Sequence, residues 1–348
     1  MTKKINIGGV VIGGGEKIAI QSMTNTKTAD IESTILQIQN LKSAGCDIVR
    51  MAITSTKDAQ AIKTIKQKVQ IPLVADIQFD YKLAIASIEN GIDKIRINPG
   101  NIGSQDKVKA IIDCAQSHNI PIRVGVNSGS IEKEFLQKYG RSAHSLAESA
   151  LKSVKILEDL GFYDIVISVK ASEVKMMIDA CRIIDKQCQY PQHLGVTEAG
   201  LFESAIIKSA IGIGSLLIDD IGDTIRVSVT GDPVDEIRAA KLILRYAGKD
   251  NNFVEIVSCP TCARCNVDLY KLATQAQERL SHISKPIKVA IMGCAVNGPG
   301  EAKGADFGIT GGNGKGLIFE KGKLVKTVDE SALIDELVNM VEEYAKNL

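Results

Sequence analysis

Short apolar runs recur through the first two thirds of the chain, each preceded by a longer stretch whose apolar residues return every three or four positions. The join between the two repeats one phrase: the end of a helical stretch, a glycine, an acidic residue, then the apolar run. It reads Ala44-Gly45-Cys46-Asp47-Ile48-Val49-Arg50, then Asn90-Gly91-Ile92-Asp93-Lys94-Ile95-Arg96, Leu160-Gly161-Phe162-Tyr163-Asp164-Ile165-Val166 and Ile221-Gly222-Asp223-Thr224-Ile225-Arg226. Glycine after a helix takes the left-handed backbone that closes it. A short unbroken apolar run is a strand buried on both faces of a parallel sheet. The phrase therefore predicts a repeated βα unit.

Apolar runs predict eight strands, near 18–22, 48–53, 71–77, 93–98, 121–127, 164–170, 193–198 and 225–229, and helical periodicity fills the gaps, for example over 31–43, 105–118, 145–160, 203–211 and 233–246. Eight alternating units in about 245 residues have the size and order of a TIM (β/α)8 barrel. A doubly wound open sheet competes, but it would carry a Gly-rich phosphate loop after its first strand, and none follows 18–22. Gly8, Gly9 and Gly13 to Gly15 precede the repeat and predict a small hairpin across the barrel floor. The pattern changes after Gly248. Residues 249–348 predict a smaller α+β domain: a strand running to Cys259, a helix over 267–282, a strand over 287–292, a Gly-rich hairpin over 311–316 and a last helix from Ser331. The expected fold is thus an α/β barrel domain, 1–248, followed by an α+β domain, 249–348.

Composition narrows the partners. The 348 residues carry 42 basic and 41 acidic side chains, a net charge of +1, so no overall field attracts a nucleic acid or a membrane surface. No apolar run approaches the ~20 residues a membrane span needs. The start Met1-Thr2-Lys3-Lys4 does not read as a secretory leader, so a soluble chain in a reducing cytoplasm is expected, where disulfides are rare. Any anionic ligand must then be met by a local cluster of cations.

Such a cluster is visible where a barrel keeps its active site, at the strand ends. Arg50, Arg96, Arg123 and Lys170 lie in four of the runs, joined by Asp76, Asn98, Asn127 and Glu198 near the run ends. Alternate residues of a strand share a face, which groups Arg50 with Ala52, Arg96 with Asn98, Arg123 with Asn127, and Ser168 with Lys170. Four strands aim a cation inward, and the acids in view are too few to neutralise them, so an anion is expected to complete the site. Guanidinium forks favour phosphate. The alternative, in which each arginine only caps a loop or pairs with a surface acid, stays open. His118, His144, His193 and His282 have no triad or ligand spacing and are read as structural.

A second cluster lies in two loops, Ser258-Cys259-Pro260-Thr261-Cys262 and Met292-Gly293-Cys294-Ala295-Val296-Asn297-Gly298-Pro299-Gly300-Glu301. A C-x-x-C turn lets two thiolates grip one metal or cluster, and Cys294 adds a third. An oxygen of Glu301 as fourth ligand would be harder and more easily displaced than sulfur, which is the logic of a catalytic iron–sulfur cluster. Cys265 extends the run, and with Cys294 it offers four sulfurs to a structural zinc instead. Both readings stand on spacing. Cys46, Cys114, Cys181 and Cys188 have no metal spacing and are read as ordinary thiols.

These blocks occur together with Gln21-Ser22-Met23-Thr24-Asn25-Thr26, Arg96-Ile97-Asn98-Pro99-Gly100-Asn101-Ile102-Gly103, Arg123-Val124-Gly125-Val126-Asn127, Ser168-Val169-Lys170-Ala171-Ser172 and Gly195-Val196-Thr197-Glu198-Ala199-Gly200. From end to end the chain resembles the 4-hydroxy-3-methylbut-2-enyl diphosphate synthase family of the methylerythritol phosphate route to isoprenoids. The resemblance implies an oxidoreductase that opens and dehydrates 2-C-methylerythritol 2,4-cyclodiphosphate with two electrons from flavodoxin or ferredoxin. It implies a 4Fe-4S cluster on Cys259, Cys262, Cys294 and Glu301, the diphosphate on Arg50, Arg96, Arg123 and Lys170, and Asn127 and Glu198 near the carbon skeleton, with Glu198 and Glu301 catalytic. Ala263, where the family often has Gly or Ser, and the extra thiol Cys265 are local departures. A head-to-tail homodimer is also implied. Chain geometry points the same way, because the helix over 233–246 runs back to the barrel floor and residues 248–252 span at most about 18 Å. The competing readings are a non-redox barrel enzyme resembling dihydropteroate synthase with a structural zinc module, and an electron carrier whose barrel only stores an anion.

Overall fold

In the computed structural model, which describes residues 1–294, 303–312 and 314–348, the chain divides into two compact units, Met1–Lys249 and Asp250–Leu348. The first opens with β1 (Ile5–Ile7) and β2 (Val10–Ile12), followed by β3 (Ala19–Met23), β4 (Ile48–Ala52), β5 (Leu73–Asp76), β6 (Lys94–Ile97), β7 (Ile122–Asn127), β8 (Ile165–Lys170), β9 (His193–Leu194) and β10 (Thr224–Ile225). From β3 to β8 each strand pairs in parallel with the next, β9 pairs with β10, and β10 pairs with β3. One parallel bridge, Ile167 with Gln192, ties β8 to the segment entering β9, and the Ile167 N–H donates to the Pro191 carbonyl at 2.9 Å. The ring closes as a TIM (β/α)8 barrel.

The recurring phrase explains how each unit is joined. Gly45, Gly91, Gly161 and Gly222 take φ of 97°, 87°, 75° and 116°, the backbone that turns a helix into the next strand. The acid that follows often reaches sideways. Asp47, Asp93 and Asp223 each accept, at 2.8 Å, the N–H of Ile20, Leu73 and Gln192 at the foot of a neighbouring strand. At the other end, Asp30, Ser55, Asp80, Ser142 and Asp232 cap helix N-termini with their side chains.

Alternation then sorts the side chains. Val49, Met51, Leu73, Ile95, Ile97, Val124 and Ile167 point outward under the helices. Ala19, Ile48, Val74 and Val166 point inward and meet Ile5, Ile7 and Ile12 of the β1–β2 hairpin, which seals the floor as expected. Above this apolar plug the interior is polar.

Three expectations needed adjustment. β9 and β10 are two residues each, shorter than 193–198 and 225–229. Past the two short strands the Arg226 N–H still bonds the Leu194 carbonyl at 2.9 Å, and Gly195 leaves no room for a side chain, since a Cβ there would lie 2.7 Å from the Arg226 carbonyl oxygen. The helix expected over 203–211 runs to Ile218, because Gly212 is a contact point and not a breaker; a Cβ there would meet Met177 and Val196 at 2.8 Å. The second unit carries an unforeseen strand. Its sheet runs β11 (Val254–Ser258), β12 (Ile287–Met292), β13 (Phe307–Gly312), β14 (Lys315–Glu320), β15 (Lys323–Asp329), with parallel pairing first and antiparallel pairing after β13. The helices Leu269–Leu280 and Leu333–Lys346 cover one face. β15 is a mostly exposed edge, so its sequence shows no alternation.

Candidate active site

Arg50, Lys94, Arg96, Arg123, Lys170 and Arg226 crowd the inner face and rim of the barrel, and the carboxylates set among them are Asp76 and Glu236. Asp76 holds two of the cations: Arg96 Nη1 lies 3.1 Å from Oδ1, and Arg50 Nε 3.5 Å from Oδ2. Burial opposes its charge, yet Arg50, Arg96 and Arg123 hold the carboxyl below its usual range. Arg96 also donates to the Gly125 carbonyl at 3.1 Å. Its guanidinium lies where a side chain at Gly125 would be, since a Cβ there would come within 2.4 Å of Arg96 Nε. Glu236, on the helix Pro233–Tyr246, takes a fork from Arg226 at 2.8 and 3.1 Å and the hydroxyl of Ser22 at 2.7 Å.

Among the described residues the other cations have no such partner. Arg123 is 0% exposed and its Nε and Nη1 meet no acceptor. Burial, then Arg50 and Arg96, push its guanidinium well below its ordinary pKa. Lys170 is buried beside Gly195, and burial followed by the surrounding arginines depresses its ammonium as well. Such an interior has an excess of buried positive charge, which costs stability until an anion enters.

The structure thus brings Arg50, Arg96, Arg123 and Lys170 into one barrel interior, with Arg123 deeper than a rim residue. Asn127 ends β7 at the mouth, and Asn98 serves as a helix cap, accepting the Gly100 N–H at 3.1 Å. Glu198 is exposed just beyond β9 with φ of 53°, a left-handed backbone uncommon for a non-glycine residue and shared here by Asn119, Asp220 and Lys321. Sequence reasoning missed Lys94, Arg226 and Glu236 as members of the site. The alternation that selected Arg96 also selects Lys94, two residues earlier. Glu236 sends its side chain in from a helix and gave no signal. His193 lies inside the barrel, its Nδ1 2.7 Å from Thr224 Oγ1, and burial pushes its ring well toward the neutral form.

In the second unit, parallel pairing of Ser258 with Ile291 sets the ends of β11 and β12 side by side. Cys259, Cys262 and Cys294 leave the sheet from that common end. The Gly293 N–H donates to Cys259 Sγ at 3.4 Å, and the Asn266 N–H bonds the Gly293 carbonyl at 2.9 Å, locking the two loops together. Cys265 lies against the same turn: its Sγ donates to the Val267 carbonyl at 3.3 Å and fills the space a side chain at Gly293 would need. Glu301 lies outside the described residues. Cys46 and Cys181 are buried thiols pushed up to about 12 by burial. All the cysteines are free of disulfides.

Comparison with known proteins fits both units. The GcpE TIM-barrel domain matches residues 2–241 and the GcpE protein C-terminal domain matches residues 255–343. The chain belongs to the GcpE family. Among its GcpE relatives, a protein of Caldanaerobacter subterraneus subsp. tengcongensis named 4-hydroxy-3-methylbut-2-en-1-yl diphosphate synthase (flavodoxin) is 56% identical over 347 residues, 99% of this chain and 98% of that protein. One of the same name from Clostridium perfringens is 56% identical over 342 residues, 98% of each. Solved structures place the GcpE barrel among distant folds. Dihydropteroate synthase of Yersinia pestis (TM-score 0.50, 10% identity) covers 71% of this chain and aligns over 100% of its own. N-acetylneuraminic acid synthetase of Leptospira borgpetersenii (TM-score 0.51, 12% identity) covers 71% and 91%. At that identity the likeness extends to the barrel alone, and the non-redox dihydropteroate-type reading has no further support. Among the described residues no helix is long and apolar enough to cross a membrane.

Proposed function

We propose that the chain is a 4-hydroxy-3-methylbut-2-enyl diphosphate synthase: an oxidoreductase that opens and dehydrates 2-C-methyl-D-erythritol 2,4-cyclodiphosphate with two electrons in the methylerythritol phosphate route to isoprenoids. The observation that carries this reading is the barrel interior, where, among the described residues, Arg123 and Lys170 lie buried with no salt-bridge partner beside a pair of arginines that share Asp76. Arg50, Arg96, Arg123 and Lys170 bind the diphosphate. When the ring opens, a phosphate oxygen gains negative charge, and cations already fixed around it stabilise that charge without rearranging. Asn127 and Glu198 stand at the mouth beside the carbon skeleton. That place at the mouth supports a catalytic role for Glu198.

Cys259, Cys262 and Cys294, with Glu301, suit a 4Fe-4S cluster. Their common sheet edge supports joint ligation, and the engagement of Cys265 with Val267 supports a set of three sulfurs over the four a closed zinc site takes. Such a cluster supplies single electrons and an iron whose oxygen ligand exchanges. Glu301, once displaced from that iron, is the group that would give the departing oxygen its proton. Flavodoxin, named for the relatives, is the electron donor, with ferredoxin the alternative, in a reducing cytoplasm. The barrel's last helix returns to the floor, where Lys249 pairs with Asp220; this supports a head-to-tail homodimer in which each cluster domain serves its partner's mouth.

Anaerobic purification followed by iron and sulfide analysis tests the cofactor, and turnover of the cyclodiphosphate with a chemical reductant tests the reaction. Brown protein with iron and acid-labile sulfide is expected. Cys294→Ser loses both cluster and turnover, whereas Glu301→Gln keeps much of the iron and loses activity. Colourless protein containing zinc, or full activity in Cys294→Ser, would overturn the ligand assignment.

A further inference from the structure

Beneath the arginines that share Asp76, the interior holds further polar side chains with atoms that have no partner among the described residues. Lys94 of β6, Arg123 of β7, Gln21 of β3 and His193 of β9 converge there from four strands. Lys94 Nζ, Arg123 Nε and Nη1, both amide atoms of Gln21 and His193 Nε2 are buried and meet no hydrogen-bond partner among the described residues. Lys94 is 0% exposed, and its backbone is paired level with Val74, a residue of the apolar floor. Asp76 is already engaged by Arg50 and Arg96, and Glu236 by Arg226. Buried water would satisfy the Gln21 amide and the imidazole nitrogen, since such groups need only a donor or an acceptor. Water does not cancel the charges of Lys94 and Arg123. A negative group does.

We propose that Lys94 is a further anion-recognition residue of this site, meeting the phosphate oxygens of the ligand from below together with Arg123. The inference rests on reading the barrel as a diphosphate site. Burial, followed by the neighbouring guanidiniums of Arg123 and Arg50, drives the Lys94 ammonium well below its ordinary pKa, so its charged form is costly until an anion adjoins it. A purely structural lysine at this depth would be paired. Lys94 instead resembles a group kept at a cost in stability for the sake of its ligand.

The test is calorimetric titration of wild type and Lys94→Met with inorganic pyrophosphate, with thermal unfolding of both proteins measured with and without it. Lys94→Met is expected to unfold at or above the wild-type temperature when ligand-free, because a thioether of similar length replaces a buried unpaired amine. Its affinity for pyrophosphate is expected to fall about tenfold or more, the share of one charge-assisted hydrogen bond. Turnover should show a raised KM for the cyclodiphosphate with cluster absorbance unchanged. Lys94→Gln serves as a second variant and should weaken binding in the same direction. Unchanged affinity in Lys94→Met overturns the proposal and leaves the diphosphate site standing; wild type that fails to bind pyrophosphate removes the site reading and the proposal with it. If neither variant folds, Lys94 is structural and the proposal is wrong.

Discussion

Gly125 is a glycine because the Arg96 guanidinium occupies the volume its side chain would need. Gly125→Ala should therefore push Arg96 off both the Gly125 carbonyl and Asp76 and weaken pyrophosphate binding about tenfold, the value of a charged contact. Gly129→Ala, at a position with nothing within 4 Å, is the control and should bind normally. Lys170 makes a second prediction. Its pKa is driven down by burial and by Arg50, Arg123 and Arg226, so the proton needed for anion binding leaves as pH rises through that lowered value. Affinity should decline well before the ~10.4 of an ordinary lysine, and Lys170→Arg should move the decline to higher pH in a titration series. At this scale the sequence was informative where period-two alternation applied, as at Arg50 and Arg96. It was silent where a partner came from another element, as Glu236 does.

The glycine–acid phrase was legible as a junction, but its second task was not. Asp93 accepts the Leu73 N–H and pairs with Lys66 at 2.6 Å, partners 20 and 27 residues away in a chain that gives no hint of the pairing. Asp93→Ala leaves that backbone N–H without its acceptor and should cost about 1–3 kcal/mol. Asp164→Ala removes an exposed pair with Lys3 and should cost under about 1 kcal/mol. Urea unfolding midpoints compare the two, and equal losses would show that the clamp adds nothing. The exposed edge β15 escaped sequence reading because a strand with both faces wet has no apolar rhythm. The barrel strands, dry on their outward face, could hardly be missed.

For the whole molecule, a homodimer with shared sites predicts complementation. Arg123→Ala and Cys294→Ser chains, each inactive alone, should recover part of their activity after mixing under conditions of subunit exchange, since one heterodimer site keeps an intact barrel and an intact cysteine set. Demonstrated exchange without recovery would argue for a site made within one chain. The β1–β2 hairpin adds a constraint on traffic. With Ile5, Ile7 and Ile12 wedged against Ala19, Ile48, Val74 and Val166, the barrel is a chamber with a single door. Arrivals and departures must alternate through it, so an occupant on its way out bars the next from coming in. Added 4-hydroxy-3-methylbut-2-enyl diphosphate should accordingly inhibit in strict competition with the cyclodiphosphate, and any sign in steady-state kinetics that both occupy the enzyme together would mean the back wall is not closed.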